Sequence, residues 1–182
     1  MFGMKFIPAE VTYEEGIYVG YRYYDKANVT PAYEFGYGSS YTTFSYSNLK
    51  LTTNKFNGKI IATIDITNTG KVPGKEVAQL YINAPGKDMD KPEKELRAFG
   101  KTNLLQPGKK QTLSFTIDAG SLASFNTERS AWIAEPGTYK INVGASSRNI
   151  KQAVSFNLEK EIIVEKDHKA LSPQTEINKK AF

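Results

Sequence analysis

Three carboxylate pairs are the first groups in this sequence that could do chemistry: Glu14 beside Glu15, Asp88 with Asp90, and Glu93 with Glu95. Two carboxyl groups held about 5–5.5 Å apart can serve as nucleophile and acid/base in a double displacement. The spacings here argue against that use. Neighbouring residues on a strand point to opposite faces. Asp88 and Asp90 lie in GKDMDKPEK, a polar loop with no apolar pocket to raise an acid's pKa. These groups read as solvated surface carboxylates. The same loop supplies too few oxygens for a calcium site. The Gly-rich pieces GYG and PGK lack the spacing and the following Lys-Ser/Thr of a phosphate loop. His168 is the single histidine and there is no cysteine, so thiolate zinc, disulfides and His-based triads have almost nothing to be built from. Neither a catalytic residue, a metal ligand nor a cofactor-binding residue is assigned, and no cofactor is implied.

The net charge of +5 is unevenly spread: residues 1–46 carry three basic and five acidic side chains, and the rest carries 21 and 14. The lysines beyond residue 46 are interleaved with acids, as in Lys91, Glu93, Lys94, Glu95 and Arg97. That pattern describes a hydrated surface and not a nucleic-acid footprint. No apolar run approaches the ~20 residues of a membrane-spanning helix. The opening MFGMKFIPAE lacks the basic and apolar regions of a signal peptide. Asn28-Val29-Thr30 fits a glycosylation sequon, which matters only in a eukaryotic secretory host.

The elements that would position any site fall in three zones. From 47 to 165 the chain is a series of short alternating runs cut by turn residues. KIIATIDITN sets Ile60, Ala62, Ile64 and Ile66 on one face, against Thr63, Asp65 and Thr67. EVAQLYIN divides Val77, Gln79 and Tyr81 from Ala78, Leu80 and Ile82. QTLSFTID and GTYKINVG repeat the pattern after the turns Gln106-Pro107-Gly108 and Glu135-Pro136-Gly137, and VSFNLEKEIIV adds a last strand or two. Closely spaced strands without intervening helices predict an all-β domain, an antiparallel β-sandwich of about seven strands. Trp132 is expected as an inward-facing core or corner ring. Residues 166–182 read as a polar C-terminal tail.

Residues 1–46 differ in kind. They hold nine of the eleven tyrosines, and six of the fifteen residues from Ala32 to Tyr46 are Tyr or Phe, with glycines at Gly36 and Gly38. EGIYVGYRYYDK could form a short helix or an irregular strand. So many rings cannot find a core within 46 residues, and a dense aromatic surface outside a sandwich implies a partner.

The motifs EGIYVGYRYYDK, TPAYEFGYGSSYTTFSYSNLKL, ITNTGKVPGKEVAQLYI, PEKELRAFGKTNLLQPGKKQTLSFTI and AWIAEPGTYKINVGASSRNI resemble, in order, the C-terminal end of glycoside hydrolase family 3, the β-glucosidase group. The resemblance runs from about Glu15 to Ile150. It departs at Ser39, where the family usually has leucine in GYGxSYTTF. It implies a parent with an upstream (β/α)8-type barrel carrying a nucleophilic aspartate, and an α/β sandwich that usually carries the acid/base glutamate. A fibronectin type III-like domain ends such a chain. None of the family's catalytic motifs falls in this sequence. Residues 1–46 would then close the preceding domain and act as a linker. Tyr18, Tyr21, Tyr24, Tyr33, Phe35, Tyr37, Tyr41 and Phe44 are the candidates for docking the sandwich onto the upstream catalytic domains of the same parent. The expected role is a non-catalytic module bracing an enzyme that hydrolyses terminal β-glucosyl residues, itself periplasmic or secreted by resemblance. A free-standing carbohydrate- or protein-binding sandwich is the alternative, with an oligosaccharide as ligand and Tyr18, Tyr21, Tyr23 and Tyr24 as platform. Bracing implies an isolated chain that exposes rings and self-associates or leaves residues 1–46 unfolded. A free-standing module implies a well-behaved monomer.

Overall fold

A computed structural model describes residues 16–168 and 170. In chain order its elements are α1 (Tyr21–Lys26), β1 (Phe44–Leu51), β2 (Lys59–Asn68), β3 (Val77–Asn83), β4 (Glu95–Lys101) and β5 (Lys110–Asp118). They continue with α2 (Ala119–Leu122), β6 (Ser124–Asn126), β7 (Ala131–Ala134), β8 (Gly137–Gly144), β9 (Ile150–Leu158) and β10 (Ile162–Lys166). Every pairing between these strands is antiparallel.

Seven strands make the sandwich: a three-stranded sheet ordered β1-β2-β5 faces a four-stranded sheet ordered β4-β3-β8-β9. The alternation in β2 and β5 sends Ile60, Ala62, Ile64, Ile66, Leu113, Phe115 and Ile117 inward. They meet Ala78, Leu80 and Ile82 of β3, Tyr139, Ile141 and Val143 of β8, and Phe156 and Leu158 of β9. Burying so many branched aliphatic side chains is the main source of stability, at about 1.5–3 kcal/mol for each large one. Tyr139 stacks on Phe156 with ring centroids 5.4 Å apart.

The turn after β2 is built into the core. Asn68 is fully buried and uses its side chain completely. Its Oδ1 accepts from the Thr42 hydroxyl at 2.7 Å and from Gly70 N at 3.0 Å; its Nδ2 donates to Val72 O and Leu105 O, both at 2.8 Å. One side chain thus fixes the entry to β1, the turn after β2 and the approach to β5. Across the sandwich edge, the Gln152 amide joins β9 to β1 by accepting from Leu49 N and donating to Tyr46 O.

Beyond the expected seven strands, β6, β7 and β10 form a small sheet ordered β10-β7-β6. Trp132 sits on it and corrects the expectation of an inward ring. Ala131 and Ile133 on β7 are buried, so the period of two turns Trp132 outward, where it is 40% exposed. It meets Phe125 of β6 edge-on at 5.5 Å.

Asp65 lies on the outer face of the three-stranded sheet. It accepts from Asn48 Nδ2 at 3.0 Å, Thr112 Oγ1 at 2.5 Å and Lys110 Nζ at 2.9 Å. These bonds, that from Asn48 foremost, hold its carboxyl well below the usual carboxylate range. A depressed folded-state pKa gives stability that is present above the unfolded value of about 3.9 and is lost as pH falls toward the folded value. Asp65→Asn should therefore cost about 1–2 kcal/mol at pH 7. Its deficit against the parent chain should shrink between about pH 4 and pH 2, read from denaturant midpoints across that range.

Candidate docking surface

The sandwich core accounts for one face of the four-stranded sheet. The other face of β3 carries Val77, Gln79 and Tyr81, and Tyr81 is fully buried. What covers it is the segment ahead of β1.

Gly20 begins α1 with φ +57, a conformation open to glycine, and the single turn ends at Ala27. The helix points the Tyr21 ring at Tyr81, edge-on at 6.0 Å, and Phe35 stacks on Tyr21 at 4.8 Å. The Tyr21 hydroxyl accepts from Leu96 N of β4 at 2.9 Å. Gly36 has φ +79, and a Cβ there would overlap Gln79 Oε1. Glycine lets this segment ahead of β1, a strap across β3, lie flat on the sheet, so that Gln79 Nε2 donates to Gly36 O at 3.0 Å and to Ala145 O at 2.6 Å. The Tyr81 hydroxyl completes the chain by donating to Gln79 Oε1 at 2.6 Å. Gly38, singled out with Gly36 in the sequence, has nothing within 4 Å of its Cβ position.

Charged groups pin the same segment. Asp25 receives Lys94 Nζ at 2.7 Å and Arg148 Nε at 3.1 Å, and Arg148 also donates to Tyr24 O and Val29 O. Arg22 Nη1 reaches Glu95 at 3.2 Å, and Glu95 holds Arg97 Nη2 at 2.6 Å. Ser147 N donates to Phe35 O, and the Ser146 hydroxyl to Glu34. The Tyr18 hydroxyl donates to Asp90 at 2.6 Å, and burial first, then that bond, pushes its pKa up to about 12. The loop bearing Asp90 is itself anchored by a buried ion pair, Lys91 to Glu135 at 2.5 Å.

The eight docking candidates divide. Tyr18 is buried, Tyr21 is half-buried under Phe35, and Phe44 is half-buried against the sandwich core, so these three are engaged within the chain. Tyr24, Tyr33, Phe35, Tyr37 and Tyr41 expose large areas, with Tyr33 at 74% and Tyr41 fully open. Tyr33 and Tyr37 lie 5.4 Å apart. Tyr24, Tyr33 and Phe35 join Arg148 around a cleft of ≈ 220 Å³. A second cleft, ≈ 230 Å³, opens between β4, β6, β7 and the strap, lined by Arg22, Glu95, Arg97, Phe125 and Trp132 among others. Sequence reasoning missed this second cleft, because β6 and β7 are too short to show a period.

The carboxylates considered for chemistry are dispersed. Glu14 and Glu15 lie outside the described residues. Asp88, Asp90 and Glu93 are exposed, and Glu95 is occupied by two arginines. Glu76 is pushed up by burial, although the bond from the Tyr46 hydroxyl at 2.7 Å opposes the shift. Among the described residues there is no cluster of three or more acidic, His or Cys side chains suited to a metal ion.

Residues 76–147 match the fibronectin type III-like domain family. The chain is 43% identical over 146 residues to β-glucosidase BoGH3A of Bacteroides ovatus, an alignment covering 79% of this chain and 19% of that protein. It is 40% identical over 151 residues to thermostable β-glucosidase B of Acetivibrio thermocellus, covering 81% and 20%. The structure of β-glucosidase 3B from Thermotoga neapolitana in complex with α-D-glucose superimposes with a TM-score of 0.78 at 52% identity, covering 82% of this chain and 20% of that one. The chain thus spans about a fifth of the length of the relatives it matches.

Gly36→Ala should push the strap off β3 and lower stability by about 1–3 kcal/mol, whereas Gly38→Ala should stay within about 0.5 kcal/mol of the parent chain. Chemical denaturation of the two variants side by side checks the contrast.

Proposed function

We propose that this chain, which carries the fibronectin type III-like domain of the glycoside hydrolase family 3 β-glucosidases and aligns with their C-terminal part, braces the catalytic domains of its parent. The parent would hydrolyse terminal β-glucosyl residues by double displacement, on carboxylates that lie outside these 182 residues. The observation that carries this reading is the strap. Tyr18, Tyr21 and the Phe35 ring stacked on Tyr21 fasten it to the sandwich, while Tyr24, Tyr33, Tyr37 and Tyr41 turn their rings to solvent. A segment held so firmly gains nothing for its own domain from rings on the outside; a neighbouring domain gives them a use. Four such rings on one short segment form the kind of aromatic surface that anchors stable interfaces. The domain limits that go with this reading are a closing segment and linker over 1–46, whose last three residues already open β1, a sandwich over 47–165 and a tail over 166–182, whose first residue ends β10.

The carboxylates support the non-catalytic half of the proposal. A retaining glycosidase needs two of them in one water-poor site. Here Glu76, the described carboxylate that burial pushes upward, has a tyrosine and not a second acid as its partner. Asp25, Asp65, Glu95 and Glu135 are each neutralised by cations.

Hydrolysis of a chromogenic β-glucoside by the purified chain, at high protein concentration, should give no turnover above buffer. Turnover that persists through repurification would place a working carboxylate pair in these residues and end the proposal.

A further inference from the structure

We infer that the cleft between β4, the β6–β7 hairpin and the strap is a saccharide site in its own right, taking one pyranose ring of a neutral sugar. It extends the accessory-module reading from bracing to holding carbohydrate. A pyranose ring has an apolar C–H face and a rim of hydroxyls. It is recognised by an exposed aromatic face beside charged groups that both donate and accept.

Both halves are present here. Trp132 and Phe125 line one wall, each 40% exposed and set edge to face at 5.5 Å. The other wall is ionic: Arg22 and Arg97 share the two oxygens of Glu95 at 3.2 and 2.6 Å, with Asp90 alongside. Arg97 Nη2 also donates to Ala123 O at 3.2 Å, which ties this wall to the start of the hairpin. Within that wall the Arg22 Nε atom is buried and lacks a hydrogen-bond partner. A hydroxyl oxygen entering the cleft would meet the open part of the Arg22 side chain, which is 30% exposed, and not the enclosed Nε. The Glu95 and Asp90 oxygens would receive the hydroxyl protons. The cleft volume of ≈ 230 Å³ suits a ligand of single-ring size.

A hydroxylated ligand also fits this wall better than a protein surface does. A protein seated on the Arg22–Glu95–Arg97 cluster would strip its water at a desolvation cost. Sugar hydroxyls replace that water with hydrogen bonds. The exposed strap rings Tyr24, Tyr33 and Phe35 line the other cleft, which shares none of Trp132, Phe125 or Arg97 with this one.

The chain's single tryptophan makes the test direct, because its indole N–H gives one signal in a nitrogen-15 correlation spectrum. Methyl β-D-glucopyranoside and cellobiose are titrated in turn, with sorbitol as an open-chain control. The expected result is a saturable shift of that signal with half-saturation in the range of about 1–10 mM. Arg22→Met and Phe125→Ala should each weaken it at least about tenfold, a change of about 1.4 kcal/mol. Tyr33→Ser, on the strap, should leave it unchanged. Phe125→Ala keeps the test open if Arg22→Met loosens the strap, and the dispersion of the whole spectrum reports folding. The inference is overturned by no saturable shift up to about 100 mM sugar, by an equal shift with sorbitol, or by titrations that neither variant alters. Absence of binding would leave the accessory-module reading intact; only glucoside turnover sinks that one.

Discussion

The rest of the structure depends on β3 having no face it can leave to water. Its core face carries Ala78, Leu80 and Ile82, and its opposite face carries the fully buried Tyr81 with Gln79 almost as enclosed. A two-layer sandwich covers one side of each sheet, so the second side of β3 needs another layer. The segment ahead of β1 supplies it with Tyr21, Phe35 and the backbone of Gly36. The aromatic residues that look surplus in the sequence are therefore partly a third layer of this domain. The remainder face outward from a platform made rigid by that packing.

Polar chemistry makes the layer specific in position. Gln79 reads the Gly36 and Ala145 carbonyls at once, and only a chain without a Cβ at residue 36 can approach it. Asp25 takes a lysine from the loop before β4 and an arginine from the turn after β8. It is shielded from solvent and has two cations, so its charge is balanced without an unpaired partner. Asn68 plays the matching part on the other side of the chain's entry into β1. Together these contacts set where the exposed rings of Tyr33, Tyr37 and Tyr41 stand relative to the sandwich. Orientation of that band is what a bracing module would need.

Five of the seven sandwich strands were legible because β2, β3, β5, β8 and β9 alternate and Pro-Gly turns punctuate the chain, whereas β1 and β4, whose burial alternates poorly, were not legible as strands. The family resemblance was legible for another reason: several motifs stand in order. What escaped is physical in each case. The alternation in β3 separates Gln79 and Tyr81 from Ala78, Leu80 and Ile82 without showing that both sets are buried, since a partner 40 to 60 residues away in sequence leaves no local signal. Trp132 was read by residue type, whereas its buried neighbours Ala131 and Ile133 already turn it outward. Asn68 looks like turn punctuation in NTG until its four side-chain bonds are seen. The Lys91–Glu135 pair joins two charges that sequence alone would each send to the surface.

Amide hydrogen exchange tests most directly whether the strap is a structural layer of the sandwich. Two reporters stand at the seam: Leu96 N, which donates to the Tyr21 hydroxyl, and Ser147 N, which donates to Phe35 O. If the strap is integral, both exchange as slowly as the amides of β3 and β8, because opening them requires the global unfolding event. If they exchange at unprotected rates while β3 stays protected, the strap is a loose appendage and the account built on it is wrong.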